Sequence, residues 1–210
     1  GLAEPTEGRS LSYEGDIAPD ALLNDEPDYW CLGSATYDDA NRGTPGAGNE
    51  PCGFVSCIDG SEERDLNEPV AGALVISEAL VDPSSSDAGK EWIEVYVAGD
   101  SPVDLNRLVI TSASPEGAST EVAEITTLAC VEGQPGDYLV IGAVADPELN
   151  GGVTVNAVAP DLTLLNTPGA SISISRRNIE LDRVVLGDPE AGVSWMLDQG
   201  LMTTDGNDTE

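Results

Sequence analysis

From residue 72 onward the chain alternates between short apolar runs and turn-forming stretches. GALVISEALV, residues 72–81, has the Val, Ile and Leu content of a strand. EWIEVYVA, residues 91–98, puts Ile93, Val95 and Val97 on one face of a strand and Trp92, Glu94 and Tyr96 on the other. RLVITSA, EVAEITTL, DYLVIGAV, VTVNAV, SISISR and DRVVLG continue the series. In SISISR the alternation is strict, with Ile172 and Ile174 on one face and Ser171, Ser173 and Ser175 on the other. GVSWMLDQG, residues 192–200, carries a weaker strand pattern. Turn-rich segments such as DPSSSDAGK, GDSPVDLN and SPEGAST separate the runs, and nothing reads as a long amphipathic helix. Short strands at this spacing predict an all-β, two-sheet sandwich of immunoglobulin-like size, with one face of each sheet buried and the other wet.

Residues 51–71 break the pattern. They are rich in charge, glycine and proline and show no period, so they read as a linker, with Cys52 and Cys57 closing a small loop in CGFVSC. Residues 1–50 precede this linker.

Charge narrows the partners. The chain has 8 basic and 39 acidic residues, a net charge of -31. Such a surface repels phosphate backbones and anionic membranes, so neither nucleic acid nor membrane insertion is expected. No apolar run reaches the length needed to span a bilayer. The chain contains no histidine, which removes the commonest general base and excludes Ser–His–Asp and Cys–His catalysis within it. No pair of carboxylates is marked for acid–base work, so an enzyme is not expected. The four cysteines, Cys31, Cys52, Cys57 and Cys130, form an even set without histidine. They argue for disulfides and an oxidising, extracellular setting rather than zinc. Glu78, Asp82, Asp87 and Glu91, with Glu94, gather around the first two strands of the alternating region. Hard oxygen donors of this kind suit Ca²⁺, although their spacing matches no EF-hand; the plainer reading is a solvated acidic rim. Trp92, Tyr96 and Trp195 read either as core and sheet-surface packing or as an aromatic platform.

Several segments resemble bacterial lamin-tail domains. Ser77-Glu78, then EWIEVY at 91–96, then Val103-Asp104-Leu105 stand at positions matching the opening of that family. GQPGDYLVIGA and LDRVVLGD followed by GVSWMLD match later segments, so the resemblance covers residues 72–200. The chain departs from the pattern at Ala98 and Leu108, where asparagine and tryptophan are usual. The resemblance implies an immunoglobulin-like sandwich that ends in a tryptophan strand followed by a TPGxxN tail. Those pieces stand at the front of this chain instead: DYWC at 28–31 and GTPGAGN at 43–49. GRSLSYEG, residues 8–15, also resembles GVSWMLDQ, residues 192–199.

On this reading residues 1–50 are the C-terminal strand segment of a lamin-tail-like domain, and residues 72–210 are a sandwich lacking its final strand. The front segment completes a sandwich either in cis or in trans, or belongs to a longer tandem array. The residues expected to act as donor strand and interface are Tyr29, Trp30, Cys31, Leu32, Thr44, Pro45, Gly46 and Asn49. The donated strand implies a Cys31–Cys130 bridge, intermolecular when the strand passes between copies. The expected function is a non-enzymatic structural unit of a secreted or cell-surface filament or array. Its partners are other copies of itself, head to tail, or adjacent repeats, and no cofactor is required. The alternative is a non-catalytic, calcium-dependent binding module of a large secreted hydrolase or nuclease.

Overall fold

The computed structural model describes residues 7–13, 24, 30–33, 35–49, 56–177 and 179–202. The chain divides into two compact units, Gly1–Ser56 and Cys57–Glu210.

The first unit is small. Its regular structure is an antiparallel pair, β1 (Leu11–Tyr13) and β2 (Trp30–Leu32), in the register Leu11↔Leu32, Ser12↔Cys31, Tyr13↔Trp30. The Tyr13 and Trp30 rings meet edge to face at 5.8 Å. Arg9 spans the end of the pair, donating from Nε to the Gly33 carbonyl and from Nη2 to the Leu32 carbonyl, both at 2.9 Å. The GTPGAGN segment folds back on β1. Its Ala47 amide donates to the Thr44 carbonyl at 3.0 Å, and Asn49 Nδ2 donates to the Tyr13 carbonyl at 2.8 Å.

The second unit is all-β, as the alternation predicts. A hairpin of β3 (Ser56–Asp59) and β4 (Glu62–Asp65) opens it at the boundary. The main strands are β5 (Leu74–Leu80), β6 (Trp92–Val97), β8 (Val109–Ala113), β9 (Thr120–Glu124), β11 (Tyr138–Gly142), β13 (Ser171–Arg176) and β14 (Ile179–Val185). Four two-residue strands complete the set: β7 (Val103–Asp104), β10 (Glu132–Gly133), β12 (Ala157–Val158) and β15 (Trp195–Met196). One sheet runs β12-β11-β6-β5-β15 and the other β14-β13-β8-β9; β7 and β10 pair separately. All neighbours are antiparallel except β11 and β12.

The two sheets enclose one core. Ile93, Val95 and Val97 from β6 are buried, whereas Trp92, Glu94 and Tyr96 are half-buried on the outer face. Ile172 and Ile174 of β13 are fully buried, and Leu105, Leu108, Ile110, Ile125 and Ile141 fill the centre. On the opposite face of β13 Ser173 is also buried, whereas Ser171 and Ser175 are half-buried. A cross-sheet bond pins the layers: the Ile76 amide of β5 donates to Asp182 Oδ2 of β14 at 2.7 Å, in a buried setting.

Two expectations need correction. Residues 56–65, read as linker, form a β-hairpin turned by Gly60 at φ 64°. Cys130 pairs with Cys57, at a Cα–Cα distance of 4.9 Å, and not with Cys31; Cys57 therefore does not close a loop with Cys52. Pairing through the hairpin explains this choice. The Ile58 amide donates to the Leu128 carbonyl at 2.7 Å, and the Cys130 amide to the Ile58 carbonyl at 3.1 Å, which lays Cys57 beside Cys130. Cys31 is disulfide-bonded as well, and Cys52 lies outside the described residues.

Arg64 secures the hairpin from its other strand. It clamps Asp104 with Nη1 at 2.7 Å and Nη2 at 3.0 Å, and reaches Glu132 at 2.8 Å. The Asp104 side chain is wholly buried, so the guanidinium supplies the charge that burial would otherwise leave uncompensated. Asp104 in turn holds the Arg64 proton more tightly than usual.

Candidate functional site

One mouth of the sandwich is open. It lies where the edge strand β14 of one sheet faces the edge strand β15 of the other. A small apolar groove of about 90 Å³ runs between them, lined by Ile76 and Ala79 of β5, by Val184 and Leu186, and by Trp195 and Leu197. Val185 and Met196 also line it and are exposed, Met196 by 74%. Exposed apolar side chains grouped around a groove are a surface awaiting cover, unlike the scattered ones common on any protein.

β15 is held lightly. It pairs with β5 through Trp195↔Ala79 and Met196↔Glu78, and the Leu197 amide donates to the Ser77 carbonyl at 2.8 Å. Ser194 Oγ donates to Glu78 Oε1, fixing the entry into the strand. A turn at Gly192, φ 78°, precedes it; a Cβ there would lie 2.9 Å from Ser84. The Trp195 indole packs against Gly187, where a Cβ would meet the ring at 2.6 Å. Glycine at 187 is what lets the indole close down on the groove.

Hydrogen-bond parity fixes which way β15 faces. In an antiparallel pair, alternate residues turn their N–H and C=O toward the partner. Leu197, and with it Trp195, turns toward β5. Met196 turns away from the sheet, and among the described residues no strand lies on that side.

The predicted interface residues lie in the first unit. Trp30, Cys31 and Leu32 form β2, while Thr44, Pro45, Gly46 and Asn49 belong to the turn that closes on Tyr13. Tyr29 lies outside the described residues. Among the described residues, the strands of the two sandwich sheets come from the second unit.

The acidic quartet divides. Glu78 is committed to Ser194, and Glu94 accepts from Ser77 Oγ at 2.8 Å. Glu91 is buried at the start of β6, and its Oε1 accepts from the Leu164 amide at 3.1 Å. Burial pushes its carboxyl up to about 7, and the nearby Asp87 and Asp82 carboxylates add to the shift. Asp82, Asp87 and Glu91 thus share one field. Among the described residues, the only acidic or cysteine trio with ligand atoms within 4.8 Å is Cys57, Asp104 and Cys130, whose two sulfurs are joined to each other.

The aromatic residues do not form one platform. Trp92 and Tyr96 lie on the outer face of β6, with Tyr96 against Tyr138 at 4.9 Å, whereas Trp195 lies opposite Ala79 in the sheet and lines the groove.

No protein-family model matches the chain, and no curated protein matches it either. No helix among the described residues is long and apolar enough to cross a membrane.

Sequence reasoning passed over the groove itself. Its walls come from strands far apart in the chain, and only pairing brings Ile76, Val184 and Trp195 together. The available signal was GVSWMLDQG, too short and too apolar at its centre for an exposed turn.

Proposed function

We propose that this chain is a non-enzymatic structural unit, an immunoglobulin-like sandwich of lamin-tail type. Its copies join by β-strand complementation into an extracellular or cell-surface filament or array. The observation that carries this reading is a two-residue edge strand, paired on one side only among the described residues, beside an apolar groove whose lining includes the exposed Val185 and Met196. Unpaired strand edges and apolar slots are the features that strand addition removes. The segment expected as donor, Trp30–Leu32, is a strand within every copy. The Cys57–Cys130 disulfide fits the oxidising surroundings that such an array occupies. Head-to-tail contacts of this sort do not close on themselves, and they produce fibres.

Negative-stain microscopy and sedimentation of the full chain test the reading. Fibres or a ladder of multiples are expected. A strictly monomeric chain that melts higher on adding calcium would favour the second reading, a calcium-dependent binding module of a large secreted hydrolase or nuclease. That reading draws on one observation, the shared field of Asp82, Asp87 and Glu91, which a divalent cation would relieve.

A further inference from the structure

Two strand pairings bring Cys57, Asp104 and Cys130 to one place. β10 lies beside β7 with Glu132 opposite Asp104, and the Leu105 amide donates to the Val131 carbonyl at 2.8 Å. The segment just before β10 lies beside β3, where Ile58 bridges Ala129. The two sulfurs and a carboxylate oxygen of Asp104 all fall within 4.8 Å of one another. Cys57 and Asp104 are buried, and Cys130 is half-buried.

Asp104 is held as a ligand would be. Its Oδ2 accepts from Arg64 Nη1 and from the Asn67 amide, both at 2.7 Å, whereas Oδ1 accepts from Arg64 Nη2 at 3.0 Å. A carboxylate oxygen has two lone pairs, so Oδ1 retains accepting capacity. Metal-binding carboxylates are oriented by hydrogen-bonding neighbours in this manner, and here Arg64 and Asn67 supply the orientation.

We infer that reduction of the Cys57–Cys130 disulfide turns this trio into a site for a zinc-class divalent cation, bound by two thiolates and the Asp104 carboxylate. A dithiol reductant cleaves the S–S bond, is itself oxidised to a disulfide and leaves a thiol on each cysteine. The cation then displaces one proton from each thiol and takes both sulfurs and one oxygen. Zinc bonds of about 2.3 Å to sulfur and about 2.1 Å to oxygen set tetrahedral ligand atoms about 3.6–3.8 Å apart, within the span these atoms already share. The charges close as well. Two thiolates and a carboxylate are balanced by the cation together with Arg64, which is the compensation that burial demands. Thiolate sulfur selects zinc over calcium or magnesium, and water supplies the fourth ligand. The hairpin thus has two staples for one place, a covalent bond when oxidised and a metal when reduced.

The test reduces the full chain anaerobically with dithiothreitol, removes the reductant and titrates Co²⁺, a coloured stand-in for Zn²⁺. One equivalent should bind, with sulfur-to-cobalt charge-transfer bands and the visible bands of tetrahedral cobalt, and Zn²⁺ should bleach both. The oxidised chain should take up none. Cys57→Ser and Cys130→Ser should each weaken uptake at least about a hundredfold, which also separates this site from the remaining cysteines. Arg64→Gln should weaken it about tenfold with the charge-transfer bands kept, and Asp104→Asn should shift the visible bands. Zn²⁺ should raise the melting midpoint of the reduced wild type, since it binds the folded state. No uptake by the reduced chain, undiminished uptake in either serine variant, or a midpoint that Zn²⁺ lowers would overturn the site. Unchanged affinity and visible bands in Asp104→Asn would overturn the part given to the carboxylate.

Discussion

Residues 8–13 and 192–197 place glycine, serine and an apolar strand at the same offsets, and both glycines hold the same left-handed turn. They differ in what surrounds them. β1 has β2 beside it, and Tyr13 is buried against Trp30. β15 likewise has one partner among the described residues, β5, but Trp195 and Met196 stay exposed by 40% and 74%. Each strand has one partner strand among the described residues, so the same local frame carries a buried or an exposed side chain according to what packs against its face. Burial at these positions belongs to the pairing, not to the segment. Turn and strand are written locally, whereas burial is set by tertiary packing.

The first way to probe that contrast is to loosen the sandwich without touching its edge. Replacing Cys57 and Cys130 by serine opens a covalent loop with a sequence separation of 73. Chain-entropy reasoning puts the loss near 4 kcal/mol, and guanidinium unfolding should show it in the transition of the second unit only. Arg64→Ala comes next. It leaves the buried Asp104 carboxylate without its cation, for a loss of about 3 kcal/mol in the same assay. If either variant also removed multimers while the sandwich was still folded, the edge would not be the autonomous site described above.

Glu91 gives a smaller effect with a definite sign. Its folded carboxyl titrates near 7, above its unfolded value of 4.5, so the folded state holds the proton more tightly. The associated stability is complete below about pH 4.5 and is lost as pH rises through 7. Glu91→Gln cannot ionise and should flatten that slope, gaining at most about 3 kcal/mol over wild type at pH 8 and little at pH 4.5. A steeper slope in the variant would contradict the desolvation account. Smallest in stability, but closest to the groove, is Gly187→Ala. The new methyl would force the Trp195 ring off its seat, costing about 1 kcal/mol and red-shifting the indole emission. Multimer formation should fall with it, because the displaced ring occupies the mouth.

Much of the sandwich was legible in the chain. The alternation in EWIEVYVA placed Ile93, Val95 and Val97 in the core because a period of two has one physical outcome on a half-buried strand. Residues 56–65 were misread because EERD is polar on both faces and offers no period. A signal was present nonetheless: a two-residue Gly60-Ser61 loop between short runs marks a hairpin. Once that hairpin is missed, Cys57 has no route to Cys130, and four cysteines allow three connectivities that sequence cannot rank. Glu91 stood out as acidic, but its burial depends on the segment around Leu164, 73 residues further on. The groove was illegible for the same reason, since its walls are tertiary.

Sedimentation velocity of the full chain, with disulfides intact and over rising concentration, tests the central claim most directly. Strand complementation between copies predicts a growing series of multiples of 21.7 kDa. One 21.7 kDa species at every concentration would contradict it.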